Sequence, residues 1–377
     1  MDVTNSLEKM DSLFEGFFEW LAGQYDPFTG GFYYAKSSVS DSSFSPDIES
    51  TAQALNILSR NELLTKMPVE LRAKFISFFQ QKQDPETGFF LDEDPHMKND
   101  EVMVSRAFNY SVNSIRRLGG KPLFPSPIDL NKAPNYVNTK EEYLNKWKSI
   151  SLVNSWRGCD LLASSCMYIG QMEPNQQKEM IQAAEDYLES IQDTETGLWG
   201  EGSMYVQISG TFKLHTFYHK FGLPMPRVEK IYKSILRCLR TETAKDMCYI
   251  RNPIDLLSYI NLDIPKQELE EIFQITVDNI EKLKRPDGGF SREIGKSPTA
   301  PNVAQVKSDE FYPEMPEAVH LGKGLYEGDM NASTQATLIR LQMHKLVGKT
   351  ASPIKGSEIF YTLLKKLNDI ANNCWRE

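Results

Sequence analysis

Gln24-Tyr25-Asp26-Pro27-Phe28-Thr29-Gly30-Gly31-Phe32 has the makings of a tight corner, and it recurs along the chain. Related segments are Gln83-Asp84-Pro85-Glu86-Thr87-Gly88-Phe89-Phe90, Gln192-Asp193-Thr194-Glu195-Thr196-Gly197-Leu198-Trp199 and Arg285-Pro286-Asp287-Gly288-Gly289-Phe290. Asp-Pro or Pro-Asp opens the turn in three of them, glycine supplies a positive backbone dihedral, and the aromatic that follows can fold back as an anchor. One local device, used four times, ends one element and redirects the chain.

The flanks of each corner are helical in pattern. Leu13, Phe14, Phe17, Phe18 and Leu21 precede the first copy, Phe75, Phe78 and Phe79 the second, and Tyr187, Leu188 and Ile191 the third, all at three- and four-residue spacing. A second helix follows each corner, clearest from Ser45-Pro46-Asp47 onward, where Ser45 is the expected N-cap and Pro46 suits the first helical position. Pro68, Pro122, Pro224 and Pro265 then mark the start of the next unit.

The anchoring aromatics fall at 32, 90, 199 and 290, so the last two intervals are about double a single period. Degenerate copies are expected to fill them, one from Trp147 to Tyr168 with its turn at Trp156-Arg157-Gly158-Cys159-Asp160, the other from Ile235 to Tyr259 with its turn at Arg251-Asn252-Pro253-Ile254-Asp255. Helix pairs of this kind either stack into an open solenoid or close into a ring. The second helices carry more small and apolar residues, such as Ala52, Ala54 and Leu161 to Ser165, as an inner layer should. The expected fold is therefore all-α: one α/α toroid over residues 1–377, of about six helix pairs, with a long loop at about 296–328.

This glycine-aromatic repeat, closest at Lys284-Arg285-Pro286-Asp287-Gly288-Gly289-Phe290, resembles that of the terpenoid cyclase and protein prenyltransferase superfamily, over about Met10 to Gly348. The resemblance implies a toroid with a central cavity and an enzyme acting there on an isoprenoid or other apolar substrate. Two signatures of that superfamily are missing. The Asp-x-Asp-Asp acid of class II cyclases is imitated only by Asp92-Glu93-Asp94, and the aspartate–cysteine–histidine zinc set fails because Asp329 is followed by Met330 and Asn331.

Composition narrows the partners. A formal net charge of −9 opposes attraction to nucleic acid, and no apolar run approaches membrane-spanning length, so a cytoplasmic protein with a small-molecule substrate is expected. Five scattered cysteines without a CxxC pair point to reduced thiols, and the sequence names neither a metal nor a cofactor.

Acidic residues are expected to gather where inner helices begin: Asp47 and Glu49, Asp100 and Glu101, Asp160, Asp255, and Asp329 after Glu327. Asp47, Glu49, Asp100 and Asp329 are the candidate catalytic groups, as acids, bases or ligands for a hard cation, although carboxylates also favour helix first turns for the dipole alone. Asp47 and Glu49 lead because Ser45 could cap the helix without them. Tyr110, Trp156, Tyr205 and Tyr259 are the candidate substrate-binding aromatics, whose faces suit either a carbocation or a sugar ring. Paired carboxylates would equally serve a carbohydrate-active hydrolase or lyase, and a non-catalytic scaffold is the third reading. His215 and His219 share a helix face but lack the HExxH context, since position 216 is Thr.

Overall fold

A computed structural model describes residues 2–300 and 310–374, with the side chain of Cys374 excepted. The Asp309 end of the expected long loop, with the rest of 301–309, lies outside the described residues. The described residues are built from α-helices joined by turns and short 3-10 segments, with only isolated β-bridges among them. In chain order the helices are α1 (Val3–Ser12), α2 (Phe17–Ala22), α3 (Lys36–Val39), α4 (Ile48–Arg60), α5 (Val69–Gln81), α6 (Glu101–Arg117), α7 (Lys140–Ser149) and α8 (Ser155–Ser164). They continue with α9 (Cys166–Ile169), α10 (Pro174–Ile191), α11 (Met204–Phe221), α12 (Val228–Thr241), α13 (Met247–Ile260), α14 (Lys266–Glu281), α15 (Met330–Leu346) and α16 (Phe360–Cys374).

The four corners form as their residues dictate. Gly30, Gly88, Gly197 and Gly288 take φ of 82°, 73°, 71° and 100°, which a side chain would resist. The aspartate before each glycine accepts backbone N–H groups of its own turn: Asp84 Oδ1 takes Glu86 N at 2.8 Å and Thr87 N at 2.9 Å, and Asp193 Oδ1 takes Glu195 N at 3.0 Å and Thr196 N at 2.7 Å. Phe32, Phe90, Trp199 and Phe290 are fully buried, and Phe32 stacks on Phe75 of α5 at 6.0 Å. The leading glutamine ties the corner to the loop after the next helix, since Gln83 accepts from Leu123 N at 2.9 Å and Phe124 N at 3.0 Å. Gln192 repeats this by donating to Pro226 O at 3.2 Å.

The two expected degenerate corners are corrected. Trp156 to Asp160 lies inside α8 and Arg251 to Asp255 inside α13, despite Pro253. Asn154 caps α8 by accepting from Arg157 N at 3.1 Å, and Asp246 caps α13 by accepting from Cys248 N at 2.7 Å, so both helices begin before the residues expected to turn. The actual connections, at 150–154 and 242–246, are shorter than the glycine-aromatic corners.

Neighbour relations among the helices that follow the connections are cyclic. Their packing runs α4 on α6, α6 on α8, α8 on α11, α11 on α13, α13 on α15, and α15 back on α4. The helices preceding them pack outside, as α5 does on α6, α12 on α11 and α13, and α1 on α14 and α15. α4 shows why the first set is interior: Ile48, Ala52, Leu55, Ile57 and Leu58 are all nearly inaccessible, and so are its polar Glu49 and Gln53. No helix among the described residues is long and apolar enough to cross a membrane.

Candidate functional site

Each helix of the cycle begins at a polar cap. Asp47, Asp100, Asn154, Ser203, Asp246 and Asp329 accept the first free N–H groups of α4, α6, α8, α11, α13 and α15 respectively. Three of the four candidate catalytic carboxylates are therefore caps. Ser45, expected to free Asp47 from this work, is not the cap, and Pro46 lies before the helix because Asp47 Oδ1 reaches Ser50 N at 2.7 Å.

Each of these carboxylates has further commitments. Asp100 forms a buried ion pair with Arg157, 2.9 Å from Nη2 and 3.3 Å from Nη1. Asp329 accepts from Arg292 N at 2.7 Å, Ser297 Oγ at 2.8 Å and Ala332 N at 2.7 Å, while burial pushes its carboxyl up to about 6. Asp47 is raised to about 8, first by burial and then by the charge of Asp92, and its Oδ2 has no hydrogen-bond partner. Asp92 is itself raised by burial; it accepts from Ile48 N at 3.1 Å and stands 3.3 Å from Lys82 Nζ. Asp160 and Asp255, placed by expectation at helix starts, lie deeper, in the second turn of α8 and the middle of α13.

Glu49 points elsewhere. Its Oε1 receives Arg106 Nη2 at 2.7 Å, Gln53 Nε2 at 2.9 Å and Asn331 Nδ2 at 3.2 Å, which joins α4, α6 and α15 across the middle of the cycle. There lies a pocket of about 290 Å³ whose wall takes residues from all six helices, among them Arg60, Arg106, Tyr110, Asp160, Lys213 and Arg251. Apart from Tyr110, Phe212, Leu338 and Ala163, its lining is charged or otherwise hydrogen-bonding. A larger depression of about 1270 Å³ shares Asn109, Ala163 and Thr216 with it, so the axial space continues toward the ends of α6 and α11.

The axial polar groups form a chain of alternating charge. Lys213 Nζ stands 2.7 Å from Asp160 Oδ2, and burial, the largest influence, brings the ammonium down to about 8 in spite of that partner. Arg106 also donates to Tyr110 Oη at 3.1 Å and lies 5.3 Å from that ring, and the buried phenol is raised, so it stays protonated at neutral pH. Arg251 covers the face of Phe212 at 3.9 Å. An acceptor of protons near neutrality, a phenolic donor, the Asp160 carboxylate and three guanidinium groups thus face one small volume, with Glu49 just behind Arg106.

Of the candidate aromatics, Tyr110 alone lines the axial pocket. Trp156 is buried 5.8 Å from Tyr249, and Tyr205 stacks on the same ring at 5.1 Å and 11°. Tyr259 lies beside His215 at 5.0 Å and His219 at 5.5 Å, which occupies the histidine face with an aromatic contact. Cys159, Cys166, Cys238 and Cys248 are buried and form no disulfide, and burial raises the thiols of Cys159, Cys166 and Cys238. No group of three or more metal-binding side chains occurs among the described residues.

The basic residues of the pocket escaped the sequence reading, which weighed carboxylates and aromatics. A signal was present: Gln53, Asn56 and Arg60 follow one another at three- and four-residue spacing on a helix whose other faces are apolar. No protein-family model matches the chain, and no curated protein matches it either.

Proposed function

We propose that the chain is an α/α toroid of about six helix pairs whose axial pocket is the active site of a carbohydrate-active enzyme, a hydrolase or a lyase. The cyclic neighbour order of α4, α6, α8, α11, α13 and α15 supports the ring. The polar lining of the axial pocket carries the functional reading, because buried hydrogen-bonding groups favour a hydroxylated ligand that can satisfy them over an apolar chain that would leave them unpaired. In this reading Lys213, in its neutral form, accepts a proton, Asp160 orients it, and Tyr110 donates one. Glu49, held by Arg106, fixes the facing wall.

The test is direct binding followed by turnover. Neutral and acidic oligosaccharides should raise the melting temperature and be cleaved, with Lys213→Met and Glu49→Gln removing cleavage while the fold persists by circular dichroism. Affinity for a prenyl diphosphate without affinity for any saccharide would replace this reading with the isoprenoid one that the repeat's resemblance implies. Tolerance of every axial substitution in a partner-binding assay would support a scaffold instead.

A further inference from the structure

The four cations of the axial pocket are not equally provided with partners. Arg106 is held by Glu49 at 2.7 Å and Lys213 by Asp160 at 2.7 Å. Arg60, the last residue of α4, donates Nη1 to Thr334 O at 2.8 Å, Thr334 Oγ1 at 3.0 Å and Thr337 Oγ1 at 3.0 Å, and every one of these acceptors is neutral. Arg251 reaches Gln335 Oε1 from Nε at 3.3 Å, and its carboxylate neighbour Asp255 is 3.8 Å from Nη1 and also accepts from Gln342 Nε2 at 2.7 Å.

Thr334 and Gln335 are consecutive on α15, so Arg60 and Arg251 flank one turn of that helix and face the same pocket. Burial, the largest influence, brings Arg60 down to about 10; the nearby Asp255 carboxylate favours its charge and the neighbouring Arg251 opposes it. The neutral acceptors of Arg60 fix its guanidinium plane without cancelling its charge, and the carboxylate beside Arg251, that of Asp255, is 3.8 Å away and shared with Gln342. A half-open pocket with fixed like charges and unused guanidinium donors is one that an anion completes.

The amount of missing charge is also legible. While Lys213 is protonated, its prevailing form below about 8, Arg60, Arg106, Lys213 and Arg251 meet the three carboxylates Glu49, Asp160 and Asp255, which leaves one positive charge over. A carboxylate supplies one negative charge and presents two coplanar oxygens to a guanidinium fork, whereas a phosphate monoester brings about 1.5 to 2. We propose that Arg60 and Arg251 form an anion subsite that seats the carboxylate of an acidic sugar, so that the substrate of the axial pocket is a uronate-containing saccharide. This rests on the carbohydrate reading of that pocket and narrows it.

The experiment measures binding by calorimetry at fixed ionic strength. The probes are galacturonate and glucuronate oligomers of two and three units, the neutral galactose and glucose oligomers of equal length, and glucose 6-phosphate. The full chain should prefer the uronates to their neutral counterparts by about tenfold or more, the worth of a charge-assisted hydrogen bond. Arg60→Met should lower uronate affinity more than neutral affinity, removing the preference, and Arg60→Lys should restore part of it. Calorimetry of the neutral oligomers on Arg60→Met also shows that the pocket is intact.

Equal affinity for neutral and acidic oligomers, tighter binding of glucose 6-phosphate than of the uronates, or a preference that survives in Arg60→Met overturns the inference and leaves the carbohydrate reading standing. Absence of binding by all saccharides overturns that reading and this inference together.

Discussion

Arginines at the two levels of the helix cycle are treated differently, the cap-level ones buried and Arg60 half-buried. At the level of the caps, Arg157 meets Asp100 at 2.9 Å and Arg292 meets Asp246 at 3.0 Å, each cation having a carboxylate that also closes a helix start. At the level of the axial pocket, Arg60 meets only hydroxyl and carbonyl oxygens. A charge matched by a carboxylate is committed to the fold, whereas Arg60 keeps a charge that its bonded neighbours leave unmatched, although all three are basic.

The sharpest way to break this comparison is at the cap level. Arg157→Ala strands Asp100, which is 2% exposed, and should lower unfolding free energy in urea by about 3–5 kcal/mol. Next, Gly288→Ala would place a Cβ 2.3 Å from Gly16 O in a backbone at φ +100°, and should cost about 2 kcal/mol by the same measurement. That variant tests whether the corners, like the capped pairs, are committed to structure.

A smaller effect depends on pH. Because the folded protein holds Asp47 protonated up to about 8 while the unfolded chain ionises near 3.9, its contribution to stability is complete below about 4 and is lost as pH rises toward 8. Asp329, raised to about 6, changes in the same direction over a narrower window. Asp47→Asn keeps a capping oxygen and removes the ionisation, so its stability relative to the parent should improve steadily from pH 4 to about 8 and then level off. Melting curves across that range check the sign. The smallest change is expected at Arg60→Met, within about 1 kcal/mol of the parent, since an apolar side chain of similar length replaces a cation without stranding a carboxylate. A loss as large as that of Arg157→Ala would erase the distinction between the two levels.

How much of this was legible follows from how local each signal is. The corners were readable because aspartate, glycine and aromatic act within eight or nine residues. The two shorter connections were not, because proline at 253 and glycine at 158 imitate turn chemistry. In the fold Gly158 is forced by its neighbour, since a Cβ there would lie 2.3 Å from Ser151 O, and Pro253 is carried within α13, which packs on both α11 and α15. The carboxylates at helix starts were found by position, yet their first partners are backbone N–H groups, so Asp47, Asp100 and Asp329 explain the helices before any reaction. Glu49 and Tyr110 were found and do reach the axial pocket region; Lys213, Arg60 and Arg251 were not, because nothing near them in sequence shows that six separate helices bring them together.

Arg60 also stands at a seam in time. Its three acceptors lie on Thr334 and Thr337, more than 270 residues later, and the same junction is stitched by Asn61 Oδ1 to Ile354 N at 2.8 Å and by Tyr361 Oη to Leu63 O at 2.6 Å. Contacts so distant along the chain carry a large loop-closure cost. During synthesis the early helices wait beside an open edge until α15 has emerged from the ribosome and docked.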